Sequence, residues 1–328
     1  MKIAVIGDGG WGTALALMLH SYGHAVTIWG PFESYVQEIR ATGENTRFLP
    51  GVKLPATLMW TSDPAEAVAG AEVMVLAVPS KFYADVCARF VGRVPQDLLT
   101  VSVTKGLCEN THCRMSELAV DTLGLQRVVV LSGPSHAEEV ARKIPTAIVA
   151  AAADATAAQA VQALFSGPSF RVYTSSDPLG VEIGGAVKNV IAVAVGASDG
   201  LGFGDNTRAA LITRGLAEIT RFGTALGARP ETFSGLSGVG DLIVTCTSTH
   251  SRNHTVGERL GRGESIEAIL GSMKMVAEGV WNAKVIHTLA QKHGVEMPIT
   301  DVVYGLCYER LAVRDAVHAL LSRAFKAE

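Results

Sequence analysis

Cysteine is sparse in this 328-residue chain: five residues, at 87, 108, 113, 246 and 307, with no C-x-x-C pair among them. The odd number and scattered positions argue against a disulfide framework, and the missing pairs argue against a zinc ribbon. No H-E-x-x-H occurs either. His250 and His254 stand four apart, as a metal pair on one helix face would, but no third ligand lies nearby and no metal site is expected. Charge of one sign is also lacking. Lys and Arg total 28 against 31 Asp and Glu, and the net charge of −3 points to neither nucleic acid nor an anionic membrane. An anionic ligand would therefore need a local basic pocket. Long hydrophobic runs are missing by inspection, none approaching the ~20 residues that span a bilayer. The nearest, GGAVKNVIAVAVGASDG at 184–200, is interrupted by Lys188 and Asn189. The opening MKIAVIGDGG runs straight into a strand pattern, without the apolar core and cleavage site of a signal peptide. These absences lead to the expectation of a reduced, cytoplasmic, soluble protein.

Hydrophobic residues make up 48% of the chain and charged residues 18%, a globular balance, and the length suits two domains. The first half alternates short apolar runs with helical stretches. IAVI (3–6), AVTIW (25–29), EVMVLAV (72–78), LLTVSV (98–103), RVVVLS (127–132) and TAIVAA (146–151) read as strands, with TLMW (57–60) and FRVY (170–173) as weaker ones. Between them, 11–22, 80–91, 112–123 and 154–165 read as helices. Continuous apolar strands alternating with helices predict a parallel, doubly wound sheet covered on both faces. After SSDPLG (175–180) the spacing becomes helical throughout, as at Ala209, Ile212, Leu216 and Ile219, with Asn206 as N-cap and Gly227 as C-terminal stop. The expected architecture is α/β: a dinucleotide-binding domain over 1–178 and an all-helical domain over 179–328.

Gly7-x-Gly9-x-x-Gly12 falls directly after the first strand and before a helix. In that setting the first glycine makes the tight turn and the second lets a pyrophosphate approach the backbone. The third packs helix on strand, and the helix N-terminus attracts the anion. After the second strand, Trp29-Gly30 is followed by Pro31, Phe32 and Glu33, with no cation until Arg40, which favours NAD over NADP. AVPS (77–80) ends the fourth strand at the edge where a cofactor would cross. Lys105, just past a strand, and Gly133, Ser135 and Ala137, at the next strand-to-helix turn, belong to that same edge.

The second half raises a different question. Lys188 sits among small apolar residues that leave no long neighbours to lead it to water. It is either a harmless helix-end cation or a working group. Downstream, Asp241, Ser251, Arg252 and Asn253 lie in GVGDLIVTCTSTHSRN. Arginine offers a planar fork of donors suited to phosphate, and serine and asparagine add neutral ones; Ser251 also suits a helix N-cap. The cluster fits a carboxylate as well as a phosphate, so a dehydrogenase of another hydroxy acid is an alternative. A dinucleotide-binding sensor is a second, although it would have no use for Lys188 and Asp241. Glycines 200, 202 and 204 read as a mobile connection or as an inert loop.

Taken in order, GDGGWGTALA, AVPS, TKGL, SGPSHAEEV, the long segment from Gly184, GVGDLIVTCTSTHSRN and VAEG resemble the NAD(P)-dependent glycerol-3-phosphate dehydrogenases of the soluble bacterial type, over the whole chain. The resemblance implies interconversion of sn-glycerol 3-phosphate and dihydroxyacetone phosphate with NAD or NADP, in service of phospholipid synthesis, by a cytoplasmic homodimer. It also implies roles. Lys188 is the proton donor and acceptor, with Lys105 and Asp241 in the same catalytic site. Gly133, Ser135, Ser251, Arg252 and Asn253 hold the small phosphorylated substrate. Gly7, Gly9, Gly10, Trp11, Gly12, Lys105, Ala137, Arg252, Val276 and Glu278 contact the cofactor. Gly10, Ser135 and His136 replace the serine, threonine and phenylalanine of many members, and Pro31-Phe32 replaces a common basic residue.

Overall fold

The computed structural model describes residues 1–273 and 275–322, and the chain forms two compact units. The first comprises Met1–Cys108 with Cys113–Glu182, and the second Glu109–His112 with the chain from Ile183 on.

The first unit is built on one eight-stranded sheet: β1 (Lys2–Ile6), β2 (Ala25–Trp29), β3 (Met59–Thr61), β4 (Val73–Leu76), β5 (Leu99–Ser102), β6 (Val128–Ser132), β7 (Thr146–Ala151) and β8 (Phe170–Ser175). Every run read as a strand forms one. Helices α1 (Gly10–Ser21), α2 (Glu33–Thr42), α3 (Pro64–Val68), α4 (Ser80–Ala88), α5 (Met115–Leu123), α6 (Ala137–Ala141) and α7 (Ala155–Phe165) connect them. Successive side chains of a strand face opposite ways, so the sheet separates two cores. Ile3 and Val5 pack with Leu15, Leu19 and Phe165; Ala4 and Ile6 pack with Tyr83, Phe90 and Met115. Burial on both faces is why these strands read as continuous apolar runs.

The strand order is β3-β2-β1-β4-β5-β6-β7-β8. It reverses direction between β1 and β4, which makes the carboxyl ends of those two strands the switch point where ligands bind in open α/β sheets. One expectation is corrected: the sheet is mixed, because β7 runs antiparallel to β6. The intervening α6 is too short for a parallel crossover. Its five residues span about 7.5 Å, against about 16 Å for a strand of similar residue count. Lys143, at φ 60°, and Pro145 then end the helical path.

The second unit is helical: α8 (Pro178–Gly200), whose first residues still belong to the first unit, then α9 (Asp205–Ala225), α10 (Pro230–Phe233), a π-type turn at Leu236–Gly240, α11 (Asp241–Thr247), α12 (Arg252–Gly261), α13 (Ile266–Ser272), α14 (Glu278–His293), α15 (Pro298–Tyr308) and α16 (Val313–Leu321). The reading of 184–200 as too short to span a bilayer is overturned. The helix runs unbroken through Lys188 for 23 residues and is long and apolar enough to cross one, yet 94% of its most apolar stretch is buried in the protein. At the root of α8, the buried Glu182 accepts from Ser116 N–H at 2.9 Å, Ser116 Oγ at 2.6 Å and Arg114 Nη1 at 2.7 Å, anchoring that turn to the start of α5.

The small residues of α8 have a packing reason. A Cβ on Gly196 would lie 2.0 Å from the His254 carbonyl oxygen, and one on Gly257 2.0 Å from that of Val193. At Gly200 and Gly261 the corresponding distances are 2.2 Å to the Glu258 oxygen and 2.3 Å to the Ala197 oxygen. The backbones of α8 and α12 therefore touch along a seam that admits no side chain. Gly200 lies in this seam. Two smaller expectations also change. Gly204, not Asn206, caps α9, and Leu226 with Gly227 ends it. His250 precedes α12, so it shares no helix face with His254, whose Nε2 instead meets Asp199 Oδ2 at 2.7 Å.

Candidate active site

The glycine loop has the shape of a phosphate cradle. Gly7, at φ +122°, turns the chain so tightly that a Cβ there would lie 2.5 Å from the Ala77 carbonyl oxygen of AVPS. Gly12 packs α1 onto this turn, its Cβ position 2.2 Å from the Gly7 oxygen, whereas a Cβ on Gly9 would meet nothing within 4 Å. The loop is thus closed toward the sheet and open outward. Gly9 caps α1 without a side-chain bond, so the first-turn N–H groups and the positive end of the helix suit a pyrophosphate. Gly10 lies against the Phe48 carbonyl and Ala137 Cβ, at 2.5 and 3.7 Å from its Cβ position. Trp11 is a third neighbour in the loop, and its buried Nε1 finds no hydrogen-bond partner among the described residues. The open outer side of the loop and the helix N-terminus behind it fit a dinucleotide.

A residue the sequence reasoning passed over holds this loop. Asn45 is fully buried; its Nδ2 donates to the Asp8 carbonyl at 2.7 Å and to Thr13 Oγ1 at 2.8 Å, and its Oδ1 accepts from Tyr35 hydroxyl at 2.5 Å. No motif marks it. Burial pushes the Asp8 carboxyl up to about 6, while its own backbone N–H and Arg47 pull it back.

Lys105, Gly133 and Ser135 come together as expected of one edge. Lys105 Nζ donates to the Gly133 carbonyl at 2.9 Å and Ser135 Oγ donates to the same oxygen at 2.8 Å. Gly133 itself has φ +143°, a conformation that side-chain-bearing residues rarely adopt, and a Cβ there would lie 3.0 Å from Ile148 Cα on β7.

In the second unit, Lys188 projects from the middle of α8 and is 5% exposed. Its Nζ donates to Asp241 Oδ1 at 2.8 Å and to Thr245 Oγ1 at 2.6 Å, and Thr245 Oγ1 donates to the Asp241 carbonyl at 2.6 Å. Thr245 was not singled out from sequence, although its spacing of four from Asp241 on a helix puts both on one face. The neighbouring Cys246 stays a thiol: burial drives it up to about 12, against the opposing pull of Lys188. Ser251 Oγ accepts from His254 N–H at 3.2 Å and so caps α12. Asn253 Nδ2 donates to Asn189 Oδ1 at 2.8 Å and its Oδ1 accepts from Gly279 N–H at 2.9 Å, binding α12 to α8 and α14. Arg252 is exposed, with Nη1 on the Val276 carbonyl at 2.9 Å, and Glu278 begins α14 two residues on. Lys188 and Asp241 thus form one buried group, and Arg252, Asn253 and Val276 a second along the α12–α14 side.

Residues 2–158 match the family model for the N-terminus of NAD-dependent glycerol-3-phosphate dehydrogenase, and residues 177–318 match that for its C-terminus. The chain belongs to the NAD-dependent glycerol-3-phosphate dehydrogenase family. A glycerol-3-phosphate dehydrogenase (NAD(P)+) of Trichlorobacter lovleyi is 51% identical over 100% of this chain and 99% of its own. That of Moorella thermoacetica is 50% identical over 98% and 96%. The crystal structure of glycerol-3-phosphate dehydrogenase from Coxiella burnetii superposes with a TM-score of 0.95 at 39% identity, covering 98% of this chain and 99% of that one. The protein is therefore an oxidoreductase of glycerol 3-phosphate that uses NAD or NADP, with a Rossmann-type sheet domain and a helical second domain.

Proposed function

We propose that this dehydrogenase interconverts sn-glycerol 3-phosphate and dihydroxyacetone phosphate with Lys188 as its acid and base. The observation that carries the reading is the buried contact of Lys188 Nζ with Asp241 and Thr245. A secondary alcohol gives up hydride readily only as its hydroxyl proton leaves, and the reverse step needs a proton delivered to the carbonyl oxygen. The nicotinamide, when bound, takes or supplies the hydride. Lys188, as amine, takes the hydroxyl proton at Nζ; as ammonium, it returns it. Asp241 and Thr245 aim Nζ and fix its rotamer, so that little reorganisation accompanies the transfer. Lys105 and Ser135 supply further donors for the substrate. Arg252, exposed at the N-terminus of α12, binds the phosphate with its planar fork, and that remote binding energy positions the reacting carbon.

The glycine loop with Trp11 and Ala137 holds the dinucleotide; Arg252, Val276 and Glu278 complete its contacts. The product of the reducing direction, glycerol 3-phosphate, is the backbone of glycerophospholipids, and we place the enzyme at their synthesis, as a cytoplasmic homodimer without membrane insertion. The test is a spectrophotometric assay following NADH and NADPH oxidation in parallel with dihydroxyacetone phosphate. Turnover with either cofactor, lost in Lys188→Ala while nucleotide binding persists, is the expected result. Silence of the wild type with both cofactors refutes the activity, and near-normal turnover in Lys188→Ala refutes the role of the lysine.

A further inference from the structure

The second residue of the glycine loop is an acid. Asp8 stands between Gly7 and Gly9, and its carboxylate reaches the end of β2: a Cβ on Gly30 would meet Asp8 Oδ2 at 2.6 Å and Cγ at 3.0 Å. Gly30 directly follows β2 and is fixed there, its N–H donating to the Thr61 carbonyl at 3.0 Å, while Gly7 N–H donates to the Trp29 carbonyl at 3.0 Å. The turn after β1 and the end of β2 therefore form one surface. In this fold the adenosine ribose lies at that point. A carboxylate there accepts the ribose hydroxyl, and an arginine nearby accommodates a 2′-phosphate.

Glu33, Arg40 and Arg47, which follow β2 in the chain, are engaged elsewhere, and the Arg89 guanidinium lies 5.7 Å from the centroid of the Trp29 ring at the end of β2. Glu33, the first acid after the strand, accepts from Ser62 Oγ at 2.5 Å and from Gln37 Nε2 at 2.8 Å. Arg40 donates to the Trp60 carbonyl. Arg47 pairs with Glu38 at 2.7 Å and lies over the Tyr35 ring at 4.0 Å. Among the described residues, Asp8 enters no ion pair, and Arg47 acts on it only through space. Asn45, on the Asp8 carbonyl at 2.7 Å, holds the residue in place.

We propose that Asp8 is the residue that determines cofactor choice: its carboxylate accepts the 2′-hydroxyl of the adenosine ribose and excludes a 2′-phosphate, so that this enzyme takes NADH in preference to NADPH. A hydroxyl offers the carboxylate a proton to share. A phosphate offers only acceptor oxygens and like charge.

The inference rests on the reading of the loop as a dinucleotide site, and binding without turnover tests the two separately. Each nucleotide is titrated into wild type, Asp8→Ala and the equal-volume Asp8→Asn, following energy transfer from protein tryptophan to bound nicotinamide. Wild type is expected to bind NADH at least 10-fold more tightly than NADPH, and both variants to narrow that ratio at least 10-fold, chiefly by gaining affinity for NADPH. Asp8→Asn keeps the test decisive if Asp8→Ala disturbs the loop. Equal or tighter binding of NADPH by wild type, or an unchanged ratio in the variants, overturns the proposal. Failure of wild type to bind either nucleotide refutes the dinucleotide reading and the proposal with it.

Discussion

Adding one methyl group at Gly257 should unsettle the whole second unit. In Gly257→Ala the new Cβ would sit 2.0 Å from the Val193 carbonyl oxygen and 2.7 Å from Ala197 N, both backbone atoms of α8. Neither can rotate away. Ordinary van der Waals contact begins near 3.4 Å, so α8 and α12 must part by about 1.4 Å (3.4 − 2.0) at that point. The separation also stretches the 2.8 Å bond from Asn253 to Asn189. Overpacking a well-filled site costs roughly 1–3 kcal/mol, and a clash confined to backbone belongs at the upper end. Alanine's better helix propensity returns at most about 1 kcal/mol, leaving a net loss of about 2–3 kcal/mol. At about 2–4 °C per kcal/mol for a unit of this size, Tm falls by about 4–12 °C. Gly271→Ala is the control. It makes the same chemical change in α13, where a Cβ would meet nothing within 4 Å, and it should leave Tm unchanged or slightly raised. Thermal melts followed by far-UV circular dichroism compare the two. A Gly257→Ala protein melting within about 1 °C of wild type, or a Gly271→Ala protein equally damaged, would refute the close-packed seam.

Arg252→Ala should raise KM for the phosphorylated substrate at least 10-fold, about 1.4 kcal/mol, with little change in Tm because the side chain is exposed; steady-state kinetics with an unchanged KM would remove it from the phosphate site. Glu218 offers a pH test. It is buried on α9, its carboxylate accepts from Ile299 N–H at 2.6 Å and Thr300 N–H at 3.3 Å, and burial drives it from 4.5 to about 7 despite those bonds. Between those values the folded chain holds a proton that the unfolded chain releases. Its favourable contribution is thus complete below about pH 4.5 and is lost as pH rises to about 7, by about 3 kcal/mol in total. Urea unfolding at stepped pH should show wild type losing that much more than Glu218→Gln across the interval; parallel curves for the two would contradict this linkage.

The strands and the glycine loop were legible because their information is local: apolar runs of four to seven residues, and a turn whose geometry needs glycine. The reversal of β7 was not. The link 133–145 has the length of a crossover, and only the ending of α6 near Lys143 and Pro145 reveals that the chain turns back at the same edge. Lys188 was conspicuous but mute. Its partner Asp241 lies 53 residues away and Thr245 lies 57 away, separations that no periodicity connects. Asn45 carries no pattern at all, since its importance lies in which carbonyl it reaches. Asp8 was hidden inside a motif as a position of no stated identity, and only its approach to Gly30 gives it meaning.

The length of α8 has a consequence at the time of synthesis. A nascent chain displays its apolar segments before it has a fold to bury them in, and a 23-residue helix of this character has the length that membrane insertion selects. Lys188 and Asn189 fall at its centre, where a lysine raises the cost of insertion by about 2.5–3.5 kcal/mol. The ammonium that we assign to proton transfer in the finished enzyme would thus also disfavour the lipid route while the protein is being made. Once folded, the same ammonium is held by Asp241 and Thr245 in the helical unit.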